Sequence, residues 1–303
     1  MSMQWQGVIP AMTTAFREDL SVDEDFIARH AAWMIDAGCT GIVALGSLGE
    51  GATLTEPEKL SVLKTAVKAV GRRVPVVAGI SALGTAEAVR LARVAAEAGC
   101  RGLMVLPPYV YSTDWREMKA HVAAVLRATN LSCMLYNNPV AYKTDFPPAQ
   151  IAELATEHGN LHAVKESSAD VRRVTELRAL LGDRLHILVG VDDLIVEGVR
   201  AGAVGWIAGL VNALPRASVA LFQATQQGLD ADIFRLYAWF LPLLRLDTMP
   251  KFVQMIKLVQ NAVGMGNARV RPPRLELTGE ELRDVQAVID RALAQRPDGA
   301  ARE

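Results

Sequence analysis

The sequence predicts an α/β protein, a (βα)8 TIM barrel with a C-terminal helical extension. Short apolar runs bounded by Gly or Pro recur along the chain, and amphipathic stretches of helical periodicity lie between them. The runs number eight, and each gap between them can hold one helix and two loops. Beyond residue 212 the pattern predicts helices alone, which is more helix than a barrel needs for its closure.

The predicted strands are apolar throughout, as expected for parallel strands that are buried on both faces. They lie near Val8–Met12, Gly41–Leu45, Pro75–Gly79, Gly102–Leu106, Cys133–Tyr136, His162–Lys165, His186–Gly190 and Val204–Ala208. An open, doubly wound sheet is the main alternative. It is disfavoured because the strands number eight and no Gly-x-Gly-x-x-Gly motif follows the first one.

The predicted helices carry start and stop signals. Glu56–Ala69 has apolar residues at three- and four-residue steps, with Thr55 as N-cap and Pro57 near its first position. Thr85 is predicted to cap a helix that ends at Gly99. After the barrel, helices are predicted over Pro215–Gln227, Ala231–Leu246, Pro250–Gly264 and Gly279–Ala294.

These elements suggest a division of the chain into three parts. We assign residues 1–212 to the barrel that carries the catalytic site. Residues 213–295 form the closing helix and the C-terminal extension, and residues 296–303 form a frayed tail.

The composition is typical of a soluble enzyme, with 51% hydrophobic and 21% charged residues. The net charge is −1 and no basic stripe is present, which indicates that nucleic acid is not a partner. Cys39, Cys100 and Cys133 lie in apolar segments without metal-ligand spacing, so we expect reduced, buried thiols. The five histidines are scattered, and we expect no metal.

Two observations bear on localisation. The start of the chain, Met1 to Gln6, lacks a basic region followed by an apolar core, so no signal peptide is expected. The longest apolar stretch, Leu236–Leu244, contains Pro242 and is too short to span a bilayer. We therefore expect a cytoplasmic protein without a membrane partner.

Lys165 is the most informative residue of the chain. It ends the apolar run that starts at Leu161, where a buried strand is expected to end. Lysine is strongly hydrated and is rarely buried unless its amine is used. A neutral lysine amine is a nucleophile that can form a Schiff base with a carbonyl. The structural alternative is a lysine that reaches solvent beside Glu166.

In a (βα)8 barrel the active site lies at the carboxyl ends of the strands. The reactive side chains expected there are Ser47, Tyr109, Tyr111, Tyr136, Lys165, Asp192 and Asp193. An amine, phenols and a hydroxyl suit carbonyl chemistry, because the amine forms an imine and the hydroxyl groups move protons. The glycine-rich loop over residues 46–51 offers backbone N–H groups to a carboxylate.

Each of these features also has a structural interpretation. The glycine-rich loop could be merely flexible, and the tyrosines could be packing residues. Asp192 and Asp193 are expected to cap the following helix rather than to act as an acid–base pair. The joint occurrence of the reactive groups on one rim favours a catalytic site.

Five segments occur in order along the chain: Gly46–Glu50, Leu106–Tyr109, Leu135–Asn137, Val164–Ser167 and Gly205–Ile207. In this order and at these separations they resemble the dihydrodipicolinate synthase / N-acetylneuraminate lyase family of Schiff-base-forming class I aldolases. The resemblance runs from Gly7 to Lys251, nearly the whole chain.

This resemblance implies the roles of individual residues. Lys165 would form the imine, and Tyr136 would act as the general acid and base over it. Ser47 would be a relay hydroxyl, and Tyr109 would complete the relay by reaching in from a neighbouring subunit. The implied substrate-binding residues are Ser47, Leu48, Gly49, Asn138, Gly190 and Ile207. The family also implies a homo-oligomer, a dimer or tetramer, that needs no cofactor for its chemistry.

Two positions depart from the synthase of this family. Leu48 stands where the synthase has the second of two adjacent hydroxyl residues. Ala141 stands where it has an arginine that grips the aldehyde substrate, and alanine cannot replace that bidentate clamp. The segment from Tyr136 to Tyr142 resembles instead the 1-pyrroline-4-hydroxy-2-carboxylate deaminase branch.

We therefore expect a Schiff-base-forming lyase or hydrolase that acts on a small 2-oxo acid or its cyclic imine by dehydration and deamination. Two alternatives stay open. One is a pyruvate-dependent aldolase such as 4-hydroxy-tetrahydrodipicolinate synthase or N-acetylneuraminate lyase. The other is a barrel that binds a keto acid without catalysis.

Overall fold

The computed structural model describes residues 3–110 and 114–297, and eight parallel strands form one sheet within them. The strands are β1 (Gly7–Pro10), β2 (Ile42–Ala44), β3 (Val76–Ile80), β4 (Gly102–Val105), β5 (Ser132–Asn137), β6 (Leu161–Glu166), β7 (His186–Val189) and β8 (Gly205–Ala208). β1 pairs with β8, and Ala11 bridges Val43 to close the sheet. The predicted (βα)8 TIM barrel is confirmed.

Helices follow the strands and cover the outside of the barrel. They are α1 (Glu24–Asp36), α2 (Glu56–Val70), α3 (Thr85–Glu97), α4 (Trp115–Arg127), α5 (Pro139–Tyr142), α6 (Pro148–Glu157), α7 (Arg172–Leu181) and α8 (Ile195–Arg200). Thr55 caps α2 as predicted, with its N–H 2.8 Å from a Glu58 carboxylate oxygen. The predicted cap of α3 is wrong, because Gly84 precedes the helix and the Thr85 hydroxyl pairs with His121 instead.

The inside of the barrel is filled by side chains in layers. Strand alternation and register place Met104 of β4 and Met134 of β5 side by side in one inner row. Trp5 closes the amino-terminal end, fully buried, with its Nε1 donating to Ser132 Oγ at 2.8 Å. A Cβ at Gly102 would lie 3.1 Å from the Trp5 ring, so glycine makes room for this plug. The opposite end of the barrel carries the polar groups.

Beyond β8 the chain is helical, as predicted. The helices are α9 (Pro215–Gln227), α10 (Asp230–Leu244), α11 (Phe252–Ala262) and α12 (Gly279–Ala294). α10 packs against both α9 and α12, and Trp239 donates a hydrogen bond to the Ala292 carbonyl at 2.7 Å. The division of the chain at residue 212 stays a prediction. Of the predicted tail over 296–303, only residues 296 and 297 lie in the described part of the chain.

Two further expectations concern cysteines and membrane segments. Cys39, Cys100 and Cys133 are buried, as the sequence indicates. None of the helices in the described part of the chain combines the length and apolar character that a membrane crossing needs.

A buried ion pair joins α11 to the loop after β2. Lys257 Nζ donates to Glu50 Oε1 at 2.6 Å and to the Arg269 carbonyl at 2.7 Å. The other carboxylate oxygen of Glu50 accepts from the Arg271 N–H at 3.0 Å. Burial lowers the pKa of the Lys257 ammonium, and the Glu50 carboxylate opposes that shift. The extension therefore anchors the glycine-rich loop at the barrel mouth.

Lys257→Met should strongly destabilise the protein, because it leaves the buried Glu50 carboxylate with only its longer ion-pair contact to Arg274, at 3.9 Å. Breaking a buried pair in this way lowers the free energy of unfolding by about 3–5 kcal/mol. The control is Arg73→Met, which removes an exposed ion pair with Asp36 and should cost under about 1 kcal/mol. Urea unfolding followed by circular dichroism measures both changes, and equal losses in the two variants would contradict the prediction.

Candidate active site

Lys165 and Tyr136 lie side by side at the carboxyl end of the barrel. They occupy equivalent positions near the ends of β6 and β5, and the strand register pairs them directly. Both are buried, and Lys165 Nζ lies 4.2 Å from the centroid of the Tyr136 ring. Among the described residues, Lys165 forms no ion pair and no hydrogen bond through its amine. The structural alternative of a solvent-reaching lysine is therefore wrong, because the strand alternation directs this side chain inwards.

Gly190 leaves the space that Lys165 occupies. A Cβ at Gly190 would lie 2.5 Å from Lys165 Cε and would also clash with Ser167 Oγ. The Ser167 hydroxyl is buried and has no hydrogen-bond partner in the described part of the chain. A glycine at the end of β7 therefore sets the path of the lysine side chain, as its predicted place in the site requires.

Glu166 points the other way, out of the barrel. Its carboxylate accepts from Asn137 Nδ2 at 3.1 Å and from the Ser168 N–H at 2.6 Å. Burial raises the pKa of Glu166, and these hydrogen bonds partly offset the shift. Asn137 also donates to Asp145, which Arg173 binds through both carboxylate oxygens. This outer network fixes the ends of β5 and β6 without contacting the lysine amine.

Two carboxyl groups, those of Asp192 and Asp247, interact electrostatically with Lys165. Asp192 accepts hydrogen bonds from Trp206 Nε1 at 2.9 Å and from the Leu210 N–H at 2.8 Å. It holds the end of β8 rather than capping its own helix, so the predicted capping role is wrong. Burial raises the pKa of Asp192 to about 6, and the hydrogen bonds that it accepts oppose the shift more than the Lys165 charge does.

Asp247 enters the site from the extension. It lies in a 3-10 turn after α10 and packs directly against Gly209, where any Cβ would overlap its carboxylate. Its Oδ1 is buried without a hydrogen-bond partner in the described residues. Burial raises its pKa well above the usual range, and the neighbouring Asp192 carboxylate adds to the shift. The two carboxyl groups thus titrate as a pair.

The loop after β2 is tightly built rather than flexible. A Cβ at Gly49 would lie 2.7 Å from the Met12 carbonyl, and Thr14 Oγ1 donates to the Gly49 carbonyl at 2.6 Å. Leu48 is buried in the apolar core. In the described part of the chain, no acceptor pairs with the amides of Ser47, Leu48 and Gly49. These three N–H groups are therefore available to an anion.

The segment after β5 folds into a single helical turn, α5. Asn138 caps it through a hydrogen bond from the Ala141 N–H at 2.9 Å, and Pro139 starts it. The amide of Asn138 also donates to the Tyr136 hydroxyl at 2.9 Å. The turn brings Tyr142 back over the mouth, where its hydroxyl bonds to Ser47 Oγ.

Tyr109 lies beside this cluster within its own chain. Its ring is 5.0 Å from the Tyr142 ring, and its hydroxyl is 3.3 Å from Ser81 Oγ. The hydroxyl that bonds to Ser47 is therefore that of Tyr142, while a relay role for Tyr109 stays a prediction. Tyr111 lies outside the described residues. Ile207 of β8 is fully buried next to Ile9 of β1, in the apolar part of the inner row.

Sequence reasoning missed Tyr142 and Asp247 as parts of the site. The signal for Tyr142 is local, because Asn138-Pro139 predicts a helix start that returns the chain to the strand end. Asp247 has no local signal, since only the packing of the extension brings it to the barrel. Within residues 3–110 and 114–297, no cluster of three or more His, Cys, Asp or Glu side chains could hold a metal ion.

A closed barrel with a buried lysine beside a phenol at its carboxyl end defines the class of barrel lyases that work through lysine imines. The chain belongs to the dihydrodipicolinate synthetase family, whose model matches residues 4–292. It is therefore an enzyme, a lyase of this Schiff-base-forming family. The alternative of a non-catalytic keto-acid-binding barrel has no support.

Three relatives illustrate the range of the family. The 4-hydroxy-tetrahydrodipicolinate synthase of Agrobacterium fabrum is 32% identical, over 95% of this chain and 97% of its own. A Pseudarthrobacter chlorophenolicus protein named "Probable 5-dehydro-4-deoxyglucarate dehydratase" is also 32% identical, over 94% of each chain. A prophage protein of the family from E. coli K12, solved in complex with pyruvate, superposes with a TM-score of 0.89 at 26% identity, covering 95% of this chain and 99% of that one.

The paired carboxyl groups predict a pH dependence of stability. Both pKa values are raised in the folded state, so the folded protein holds these protons more tightly and loses stability as pH rises through about 6. Asp247→Asn removes one carboxyl group and its repulsion of the other. The decline in melting temperature between pH 5 and pH 8 should therefore be smaller than in the wild type.

Thermal unfolding at a series of pH values measures this difference. Asp183→Asn, at a fully exposed carboxylate, is the matched control and should leave the wild-type decline unchanged. A decline that is as steep in Asp247→Asn as in the wild type would show that the pair does not titrate in this range.

Proposed function

We propose that this protein is a lyase that forms a Schiff base between Lys165 and a small 2-oxo acid or its cyclic imine. The observation that carries this proposal is the buried Lys165 amine, 4.2 Å from the Tyr136 ring centroid and free of any ion pair in the described residues. A deprotonated lysine amine is the nucleophile that forms an imine with a carbonyl. The amine attacks C2 of the substrate.

Tyr136 is proposed as the general acid and base of this step. Its hydroxyl oxygen accepts a hydrogen bond from Asn138, and a phenol has one proton to donate. That proton is therefore available to the oxygen or nitrogen that leaves C2 when the imine forms. The cation–π contact with the Tyr136 ring also favours the protonated imine once it exists.

The loop after β2 is proposed to bind the substrate carboxylate. The amides of Ser47, Leu48 and Gly49 have no acceptor in the described parts of the chain. The tightly packed loop presents these amides together, so that little conformational freedom is lost when an anion binds. The pyruvate complex of the E. coli relative supports a 2-oxo acid as the ligand of this family member as well.

The protonated imine then acts as an electron sink. C3 loses a proton. The C–H electron pair forms the C2–C3 double bond, and the pair of the C2–N double bond moves onto nitrogen to give an enamine. If a hydroxyl group is present at C4, the enamine expels it, with one proton it leaves as water, and a C3–C4 double bond remains. With a cyclic imine, attack of Lys165 at C2 displaces the ring nitrogen, which stays on C5 as an amine. Proton shifts from C5 and its nitrogen to C3 and C4 then give an imine at C5, and water hydrolyses this imine to an aldehyde and ammonia. A second water hydrolyses the lysine imine and returns the free amine.

For the substrate we propose the dehydration and deamination of a cyclic imine, as in 1-pyrroline-4-hydroxy-2-carboxylate deaminase. Leu48 is buried in the core and supplies no hydroxyl to a second substrate. Ala141 is exposed and cannot bind the carboxylate of an aldehyde. The dehydratase relative, at 32% identity, supports loss of water in the family. The synthase relative supports the aldolase alternative to the same extent.

We further propose that the protein forms a homo-oligomer, a dimer or tetramer.

Incubation with pyruvate and borohydride should fix a stable adduct on Lys165 alone, because the reductant traps only an imine. Peptide mass spectrometry locates the added mass. Lys165→Ala should give no adduct and no turnover above the uncatalysed rate, whereas Lys64→Ala, at an exposed helix position, should behave as the wild type. An adduct that persists in Lys165→Ala, or activity that does, would overturn the proposed mechanism.

The second half of the reaction is tested by its products. With 4-hydroxy-1-pyrroline-2-carboxylate, the deaminase proposal predicts one equivalent of ammonia for each substrate consumed and no pyruvate. The aldolase alternative predicts pyruvate release from an aldol substrate and no ammonia. Coupled enzymatic assays of ammonia and pyruvate on the same samples separate the two.

A further inference from the structure

Tyr142 closes a cluster of phenols over the barrel mouth. Its ring meets that of Tyr136 edge to face, at 5.8 Å and 88°, and lies 5.0 Å from the ring of Tyr109. Its hydroxyl is hydrogen-bonded to Ser47 Oγ. Tyr142 thus connects the loop after β2, which presents the free amides, with the strand that carries Tyr136.

The direction of the Ser47–Tyr142 hydrogen bond is set by acidity. A phenol is a stronger acid than an alcohol and is therefore the better donor when the two pair. Burial raises the pKa of the Tyr142 phenol further, and the neighbouring Tyr136 adds to the shift, so Tyr142 keeps its proton. The geometry allows either hydroxyl to donate, and with the phenol as donor the Ser47 oxygen accepts.

A serine hydroxyl has one proton and two acceptor positions. With one acceptor position filled by Tyr142, the Ser47 proton is directed to another acceptor. The described part of the chain places no such acceptor next to it. The Ser47 amide is one of the three free N–H groups of the same loop. The hydroxyl proton and these amides can therefore bind the same anion or carbonyl oxygen.

We propose that Tyr142 is a positioning residue that turns the Ser47 hydroxyl into a hydrogen-bond donor towards the bound 2-oxo acid. No proton leaves Tyr142 in this role. The inference rests on the proposed function, because it assigns Tyr142 to the site of the Lys165 imine.

Tyr142→Phe removes the hydroxyl and keeps the ring contacts. Turnover should fall about 10- to 100-fold, as expected for the loss of a hydrogen bond that acts on a charged group. The pyruvate adduct on Lys165 should still form at saturating pyruvate, which shows that the variant is folded and the imine site intact. Tyr237→Phe, the same change at a tyrosine bonded to Asp193 and Glu197, should keep wild-type turnover.

A double-mutant cycle with Ser47→Ala separates positioning from a general structural effect. If Tyr142 acts through Ser47, the double variant should be no slower than Ser47→Ala alone. The inference would be overturned if the losses in turnover of the two single variants add fully in the double variant. It would also be overturned if the turnover of Tyr142→Phe stays within about twofold of the wild type. In both cases the pyruvate adduct on Lys165 still forms. Absence of the adduct in the wild type would instead overturn the proposed function, and the inference with it.

Discussion

The structure depends on one constraint, the burial of a lysine amine inside an otherwise apolar barrel. The side chain of Lys165 needs room, which Gly190 provides by having no Cβ. Its amine lies against the Tyr136 ring, with 4.2 Å between Lys165 Nζ and the ring centroid. The amino-terminal end is plugged by Trp5, so the polar groups collect at the carboxyl end.

The side chains at the barrel mouth are held in place by contacts that lie outside the mouth. The loop of Ser47 is packed so tightly that a Cβ at Gly49 would lie 2.7 Å from the Met12 carbonyl oxygen, and the buried Glu50–Lys257 pair fixes the loop to the extension. On the other side, Asn138 caps α5 and binds the Tyr136 hydroxyl with the same side chain. Binding groups held in this way lose little freedom when a substrate enters.

The family can be assigned more firmly than the substrate, because different residues serve the first and the second half of the proposed reaction. In the proposed mechanism, Lys165 and Tyr136 act in the formation of the imine. The names of the relatives point to different products, since one is a synthase and another a dehydratase. The fate of the enamine would then depend on the groups that face C3 and C4 of the substrate.

The sequence by itself determined the barrel, the position of Lys165 at the end of β6 and the family, because apolar periodicity and short motifs are local in the chain. It also contained the start signal of α5, which carries Tyr142. Only the tertiary structure decided that Tyr142 bonds to Ser47, that Asp192 holds β8 rather than its own helix, and that Asp247 packs against Gly209. Those contacts join residues far apart in sequence, and no local pattern encodes a distance that packing alone sets.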